Sequence, residues 1–293
     1  MDLARKKTDR LLKDLEKKIS RVYSRAEKDL TKKVNNYFSR FEVKDAQKKK
    51  LVEAGEMTQR DYAKWRQGQM MTGKHWQEMQ KQVSQDMLAA DKIAAAYIND
   101  QLPAIYALNY NAIGDQINGL KGYSFELVDA ATVRNLATSN KTLLPYKEVD
   151  GKKVVRWNTK KINSEVMQGI LQGESVDKIA KRLEKNIPEM ERDSAVRNAR
   201  TTVTSAENKG RQDSYEEAEK MGIVVKKVWL AVHDKRTRSA HLELDGQEVD
   251  YDEPFVNELG EIMYPGDPDA DPANVYNCRC TMTTRIVEFK RKD

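Results

Sequence analysis

The sequence predicts a mainly α-helical protein with an elongated N-terminal helical region and a small C-terminal α+β module. Residues 8–41 contain neither Gly nor Pro and carry apolar residues at four- and three-residue steps, which is the pattern of a long amphipathic helix. Similar helical periodicity recurs up to residue 111 and again over residues 164–221. Thr58, with Asp61 three residues later, predicts a helix cap at the start of the second helix. The β-branched run Ile223–Leu230 then predicts a strand, so the type of secondary structure changes near residue 222.

The first predicted helix has one apolar stripe and several basic faces. The stripe consists of Leu11, Leu15, Ile19, Val22, Ala26, Leu30, Val34, Tyr37 and Phe41. The candidate nucleic-acid-binding residues are Lys6, Lys7, Arg10, Lys13, Lys17, Lys18, Arg21, Arg25, Lys32 and Lys33. A basic helix attracts phosphate without sequence preference, and the alternative is a solvated surface whose stripe packs on other helices.

Charge is distributed unevenly along the 293 residues. The whole chain has a formal net charge of +6, but residues 1–50 carry +9 and the remainder carries −3. Residues 242–277 contain 11 acidic side chains and no Lys or Arg. The apolar share of 39% is below the usual ~45–50% of globular domains. We therefore expect a polarised protein that completes its burial inside a larger assembly.

Neither a secretory signal nor a membrane span is expected. The first ten residues are strongly charged and no apolar segment follows them. No run approaches the ~18 consecutive apolar residues of a transmembrane helix. The two cysteines stand two positions apart and cannot form a disulfide framework.

Glycine and proline positions suggest three regions along the chain. Residues 1–111 form the N-terminal helical region, and residues 112–160 form a connector in which residues 154–157 read as a short strand or extended segment. Residues 161–293 form the C-terminal domain, with helices over 161–221 and a small sheet with an acidic loop over 222–293. Pro103 and Pro188 are expected to end helices, because proline lacks the amide donor.

The helix predicted over residues 192–221 carries a polar stripe that includes Arg200, Thr204, Asn208 and Arg211. Thr and Asn are poor choices for an exposed helix face. We therefore expect a buried polar seam in which Arg200 and Arg211 face the acidic loop, and a solvated face is the alternative.

A second strand is expected near residues 280–289, and Asp245-Gly246 predicts a hairpin turn.

Candidate metal ligands cluster in the C-terminal module. His241, Cys278 and Cys280 offer an imidazole and two soft thiolates, which raises the question of zinc, and Asp234 is the candidate fourth ligand. The alternative is that these side chains serve ordinary packing and hydrogen bonding. No nucleophile elbow or phosphate-binding glycine loop is present, so no catalytic residue is assigned and a non-enzymatic protein is expected.

An ordered series of residues lies between positions 193 and 284. The series includes Arg200, Arg211, Trp229, Asp234, Arg236, Arg238, His241, Asp245, Gly246, Asn277, Cys278 and Cys280. This series resembles the Mu F-like head morphogenesis family, the minor head proteins of tailed phages. The resemblance implies a structural virion component that is made in the host cytoplasm and acts in head assembly, DNA packaging or DNA delivery. The partners it implies are the portal protein, scaffold or major capsid protein, and double-stranded DNA.

Two other functions remain open at this stage. The first is a metal-dependent nuclease or related enzyme centred on His241, Cys278 and Cys280, because these residue types allow metal-assisted chemistry. The second is a free, host-directed DNA-binding protein, for which the basic N-terminal helix would be the binding surface.

Overall fold

The computed structural model describes residues 3–290, which form eight helices and five strands. The helices are α1 (Leu3–Glu53), α2 (Gln59–Met71), α3 (Lys74–Asn118), α4 (Ala130–Ser139), α5 (Gly151–Leu171), α6 (Val176–Lys220), α7 (Ser239–Glu243) and α8 (Pro272–Val275). The strands are β1 (Ile223–Leu230), β2 (Glu248–Asp250), β3 (Phe255–Asn257), β4 (Gly260–Ile262) and β5 (Thr281–Phe289). The predicted fold class, mainly α with a small C-terminal α+β module, is confirmed.

The predicted stripe of α1 is its buried face. Seven of the nine stripe residues are buried, and Leu11 and Val22 are half-buried. The helix continues to Glu53, because no Gly or Pro interrupts it before Gly55. The next helix, α2, begins at the predicted capping site, where Thr58 accepts a hydrogen bond from the Asp61 amide at 3.0 Å.

The predicted helix ends at Pro103 and Pro188 are wrong, because α3 and α6 both continue through their prolines. Proline inside a helix costs about 3 kcal/mol, whereas full burial of one aliphatic side chain stabilises by about 1.5–3 kcal/mol. Leu102 and Ile105 flank Pro103 and are fully buried. Burial of the neighbouring side chains therefore offsets the missing hydrogen bond. The helix predicted over residues 192–221 is the second part of α6.

The extended segment predicted for residues 154–157 is also wrong, since these residues lie in α5. Asp150 caps this helix by accepting hydrogen bonds from the amides of Lys152 and Lys153, both at 3.0 Å. The cap at Asp150 favours the helix, as does the burial of Asn158, Ile162 and Val166 on one face. Together they outweigh the low helix propensity of the β-branched pair Val154-Val155.

The described chain divides into two compact units, each built from separate segments. The first unit combines residues up to Lys17, Ala96–Lys147 and the chain from Val196 onward. The second unit combines Lys18–Ala95 and Glu148–Ala195. Helices α1, α3 and α6 each contribute to both units. The unit boundaries in these helices therefore do not coincide with glycine or proline positions that would mark a break in the sequence. The division into regions 1–111, 112–160 and 161–293 stays a prediction.

The second unit is a helical unit with an aromatic core. Trp76 is fully buried and its ring centroid lies 5.4 Å from that of Tyr37. Phe41 stacks on Trp65 with centroids 5.7 Å apart. Met79, Val83 and Met87 continue the buried face of α3. The methionines and tryptophans of this region therefore serve packing.

The first unit contains both sheets. The larger sheet has the order β2-β1-β5 and is antiparallel throughout, with Trp229 opposite Met282 in the β1–β5 register. The smaller sheet pairs β3 with β4, with Phe255 opposite Ile262. Both predicted strands are confirmed. The Asp245-Gly246 turn connects α7 to β2 rather than two strands, so the predicted simple hairpin is replaced by a strand–helix–strand connection.

Two apolar clusters stabilise the first unit. One joins α3, α6 and the sheet, with Ile113, Tyr215, Ile223 and Met282 among its members. The other surrounds the end of β1 and contains Trp229, Leu244, Phe255, Ile262, Val275, Cys278 and Cys280. The cysteines thus lie in the second core, among the short elements of the acidic segment.

Within the described residues, none of the helices combines the length and the apolar character that crossing a lipid bilayer requires.

Candidate functional site

The structure brings three of the four predicted metal ligands together. Nδ1 of His241 lies 3.5 Å from Sγ of Cys278 and 3.6 Å from Sγ of Cys280. The three donor atoms all lie within 4.8 Å of one another. All three side chains are buried, with relative exposures of 1–2%. Two sulfurs and one ring nitrogen therefore converge on one point inside the module.

Three short elements position these donors. His241 lies on the five-residue helix α7, while Cys278 and Cys280 lie between α8 and β5. Asn277 has a φ of +59°, a left-handed conformation that Asn adopts more readily than most residues. The Cys278 carbonyl accepts a hydrogen bond from the Thr204 hydroxyl at 3.0 Å, and the Asn277 amide donates to the Thr201 hydroxyl at 2.8 Å. Helix α6 therefore fixes the cysteine segment.

A buried pair of asparagines orients the imidazole. Nε2 of His241 lies 2.8 Å from Oδ1 of Asn274, which is fully buried. Asn257 donates from its amide nitrogen to the same Oδ1 and to the Ala240 carbonyl. Because Asn274 presents an oxygen, Nε2 carries the proton and the lone pair of Nδ1 faces the two sulfurs.

Aromatic side chains exclude water from this group. The Trp229 ring lies edge-on to the His241 ring, with ring centroids 5.4 Å apart. The Phe255 ring packs edge-on against Trp229, with ring centroids 5.2 Å apart. Both aromatic residues are fully buried. The site is therefore dry, and electrostatic interactions inside it are stronger than at the surface.

The two buried thiols differ in acidity. The hydrogen bond to Cys280, followed by burial, raises the pKa of Cys278. The same hydrogen bond, opposed by burial, lowers the pKa of Cys280. Cys280 is therefore the thiol that ionises first.

The structure does not bring Asp234 into this group. Both carboxylate oxygens of Asp234 accept hydrogen bonds from the Arg279 guanidinium, at 2.5 and 2.6 Å. This interaction, with a further hydrogen bond from the Arg236 amide, holds the pKa of Asp234 well below its usual range. Asp234 therefore fastens the loop after β1 to the cysteine segment.

Other motif residues also connect the segments of the module. Asp245 accepts a hydrogen bond from the Ala231 amide at 2.8 Å, and its second oxygen lies 2.8 Å from Nε2 of His233. Gly246 has a φ of +77°, which glycine tolerates at the turn into β2. The Arg238 guanidinium donates to the Tyr276 carbonyl. These contacts hold α7 and the cysteine segment against the end of β1.

The buried polar seam predicted for α6 exists. Thr204, Glu207, Asn208 and Arg211 are all buried. The prediction that Arg200 faces the acidic loop is wrong, because its Nε donates to Glu16 of α1 at 2.7 Å. Arg211 lies 3.8 Å from Glu207 one helical turn away. Residue periodicity predicted the seam, but it could not show that Glu16 of α1 is the partner of Arg200.

Of the ten candidate DNA-binding residues, all but Lys33 are exposed. Lys33 is half-buried in an ion pair with Asp86. Lys17 and Lys32 lie 3.6 and 4.0 Å from Asp14 and Asp29, in exposed pairs that are worth less than about 1 kcal/mol. These nine cations can therefore meet an external anion.

Sequence reasoning missed Asn257 and Asn274. Both stand in a polar, proline-rich segment in which asparagine is common for reasons of turn geometry. No spacing distinguishes an asparagine that orients an imidazole from one that forms a turn. Only the tertiary contacts of α7 with Asn257 of β3 and Asn274 of α8 reveal their role.

The C-terminal part of the chain matches a known family. The family model described as Phage Mu protein F like protein matches residues 160–283. The resemblance that the motif residues predict is therefore confirmed.

Three curated proteins are similar to the chain over parts of their length. Minor head protein GP7 of Bacillus phage SPP1 is 28% identical over 206 residues, which cover 68% of this chain and 65% of GP7. NAD(+)--arginine ADP-ribosyltransferase EFV of Enterococcus faecalis (strain ATCC 700802 / V583) is 37% identical over 127 residues, 43% of this chain and 26% of EFV. Uncharacterized protein YqbB of Bacillus subtilis (strain 168) is 28% identical over 159 residues, 52% of this chain and 50% of YqbB.

The chain thus spans between about a quarter and two thirds of the length of these relatives. No solved structure matches it.

Proposed function

We propose that this chain is a minor head protein of a tailed phage and acts in head morphogenesis. The observation that carries the proposal is the family match over residues 160–283, together with the similarity to a minor head protein over two thirds of this chain. The low apolar share and the polarised charge agree with a component that buries surface against other head proteins.

The test is the composition of purified phage particles. We expect the protein to co-sediment with particles after nuclease treatment, and deletion of its gene to reduce infectious particles until a plasmid copy restores them. A free, host-directed DNA-binding protein would instead be absent from particles. Absence from particles, with normal yields after deletion, would contradict the proposal.

Within the head, we assign the chain to the portal vertex or capsid interior after assembly in the host cytoplasm, with the portal protein as its main partner. The support for this assignment is the similarity of the chain to a minor head protein of a phage. Co-expression with the portal protein, with the major capsid and scaffold proteins as comparison baits, tests the assignment. Stable co-purification with the portal is expected, and capture by capsid or scaffold alone would redirect it to those partners.

Non-specific binding of double-stranded DNA is the second part of the proposed role, and α1 supplies its surface. Lys6, Arg10, Lys13 and Lys17 are exposed and recur at four- and three-residue steps, so they share one face of the helix. Arg21, Arg25 and Lys32 are exposed on the same helix further along. A row of cations displaces counterions from the DNA backbone, which makes binding favourable and dependent on salt.

Charge-neutralised variants test this surface. Changing Lys6, Arg10, Lys13 and Lys17 to Gln should weaken binding equally for all sequences and lower the log–log salt slope by up to about 3–4, since each phosphate contact contributes about 0.9. The matched control changes Lys152, Lys153, Arg156 and Lys160, four exposed cations of α5. Equal loss in both variants would indicate a general charge effect and would contradict a specific role for α1.

We infer a non-enzymatic role. The nuclease hypothesis places the reaction at His241, Cys278 and Cys280, but these side chains are buried beneath Trp229, where a DNA strand has no access. The similarity to EFV covers about a quarter of that protein. Plasmid cleavage with Mg²⁺, Mn²⁺ or Zn²⁺, and NAD-dependent labelling of arginine-containing protein, should both be negative. Plasmid cleavage by the native protein that is lost in His241→Ala would instead support the nuclease hypothesis.

A further inference from the structure

We propose that His241, Cys278 and Cys280 bind one zinc ion through three protein donors, and that Asn274 is the positioning residue of this centre. The proposal does not depend on the role in head morphogenesis. It rests on the spacing, the orientation and the chemistry of the donors in the folded module.

The spacing of the donors matches the size of a zinc ion. With Zn–S near 2.3 Å and Zn–N near 2.0–2.1 Å, tetrahedral geometry separates sulfur from nitrogen by about 3.5–3.6 Å. The two Sγ–Nδ1 distances are 3.5 and 3.6 Å. A single hydrogen bond to Nδ1 would need only one sulfur, whereas both sulfurs lie at nearly the same distance.

The orientation of the imidazole is that of a metal ligand. Ligating histidines donate their second ring N–H to an oxygen acceptor, which fixes the tautomer. His241 makes this contact with Asn274 Oδ1 at 2.8 Å, and Asn257 holds the asparagine in place. The nitrogen that faces the sulfurs is then unprotonated, as metal binding requires.

The donor set selects zinc over the common hard cations. Two thiolates and an imidazole are soft or intermediate donors, while Mg²⁺ and Ca²⁺ require oxygen ligands. Two thiolates also neutralise a divalent ion, so the buried centre carries no net charge that burial would destabilise. Asp234 is held by Arg279, so it does not supply a further donor.

The ion would connect segments that have little secondary structure of their own. It would join α7 to the cysteine segment before β5, across a region whose strands β2, β3 and β4 have three residues each. Metal binding contributes directly to folding in small modules of this kind. The expected role of zinc is therefore to stabilise the module.

The test is metal content and spectroscopy on the full-length protein. Protein expressed with added zinc should contain one zinc per chain by elemental analysis. After metal depletion, Co²⁺ should produce the near-ultraviolet thiolate charge-transfer band, and zinc should remove it. Cys278→Ser and Cys280→Ser should each lose at least ten-fold in zinc affinity, and His75→Gln, at an exposed position of the second unit, should lose none.

Asn274→Ala tests the positioning role separately. It removes no donor and should weaken zinc binding by about 10–100-fold while the stoichiometry at saturation stays at one. Failure of the cysteine variants to fold would not affect the spectroscopic titration of the native chain. Native protein with negligible zinc and no cobalt band, or zinc retained when both cysteines are serine, would overturn the proposal.

Discussion

The guanidinium of Arg5 donates a hydrogen bond to the carboxylate of Glu207, 202 residues later in the chain, at 2.5 Å. The Glu207 side chain is fully buried. Its other oxygen accepts a hydrogen bond from the Thr281 hydroxyl at 2.8 Å, and Arg5 also donates to the Arg279 carbonyl. One buried carboxylate thus joins the start of α1, the middle of α6 and the beginning of β5.

Arg5→Met should destabilise the first unit by about 1.5–3 kcal/mol, because it removes a charge-assisted hydrogen bond from the Glu207 carboxylate, which keeps Arg211 and Thr281 as partners. Urea unfolding at neutral pH measures the change. The matched control is Lys6→Met, which alters the neighbouring exposed position and should change stability by less than about 0.5 kcal/mol. Similar values for the two variants would show that the Arg5–Glu207 contact contributes little.

Gly210 lies where the backbone of α6 packs closely against that of α3. A Cβ at this position would lie 2.5 Å from the Tyr106 carbonyl oxygen. Gly210→Ala should therefore destabilise the protein by about 1–3 kcal/mol through overpacking, although alanine is normally the better helix former. Gly68→Ala in α2, where the nearest atom is 4.0 Å away, should stabilise by about 0.5–1 kcal/mol. Thermal unfolding of both variants should show opposite signs.

Glu191 should make the second unit less stable as pH rises. Burial, reinforced by the nearby Asp91 carboxylate, raises the pKa of Glu191 to about 8, compared with about 4.3 in an unfolded chain. The folded state therefore binds the proton more tightly, and its stability falls between pH 4 and pH 8.

Glu191→Gln should remove this loss and stabilise the protein at pH 7 by about 2–3 kcal/mol. Urea unfolding across pH 4–8 should show a flatter profile for the variant than for the native chain. Glu189→Gln, at an exposed position of α6, is the control and should leave the profile unchanged. A native profile without a decline would contradict the prediction.

Lys227 should have the opposite effect in alkaline solution. Its Nζ is buried and donates to the Met263 carbonyl at 2.8 Å. Burial lowers the pKa of Lys227 to about 8, although Asp267 opposes the shift. The unfolded state, with a pKa near 10.4, then binds more protons above pH 8, so stability rises by about 2 kcal/mol from pH 8 to pH 10.

Lys227→Met should abolish this rise, as measured by the midpoint of urea unfolding at each pH. Lys226→Met is the matched control, because Lys226 lies on the other face of β1 and pairs with Asp250. The same rise in native protein and in Lys227→Met would assign it to other groups.

Much of the local structure could be predicted from residue patterns. The stripe of α1, the Thr58 cap, the strand at residues 223–230 and the polar seam of α6 all follow from periodicity or capping chemistry. The errors arose where packing outweighed local preference, as at Pro103, Pro188 and the β-branched pair of α5. Spacing also suggested His241, Cys278 and Cys280, but it proposed Asp234 as a further ligand, and the structure places that carboxylate on Arg279.

The sequence by itself determined the helical class, the polarised charge and the small set of residues able to bind a soft metal. These properties depend on residue type and on short-range period, which a linear pattern records. The tertiary structure alone decided which residues meet, because contacts such as Arg5–Glu207 and His241–Asn274 join distant segments. Their energies depend on burial and geometry that arise only when the helices and the cysteine segment pack together.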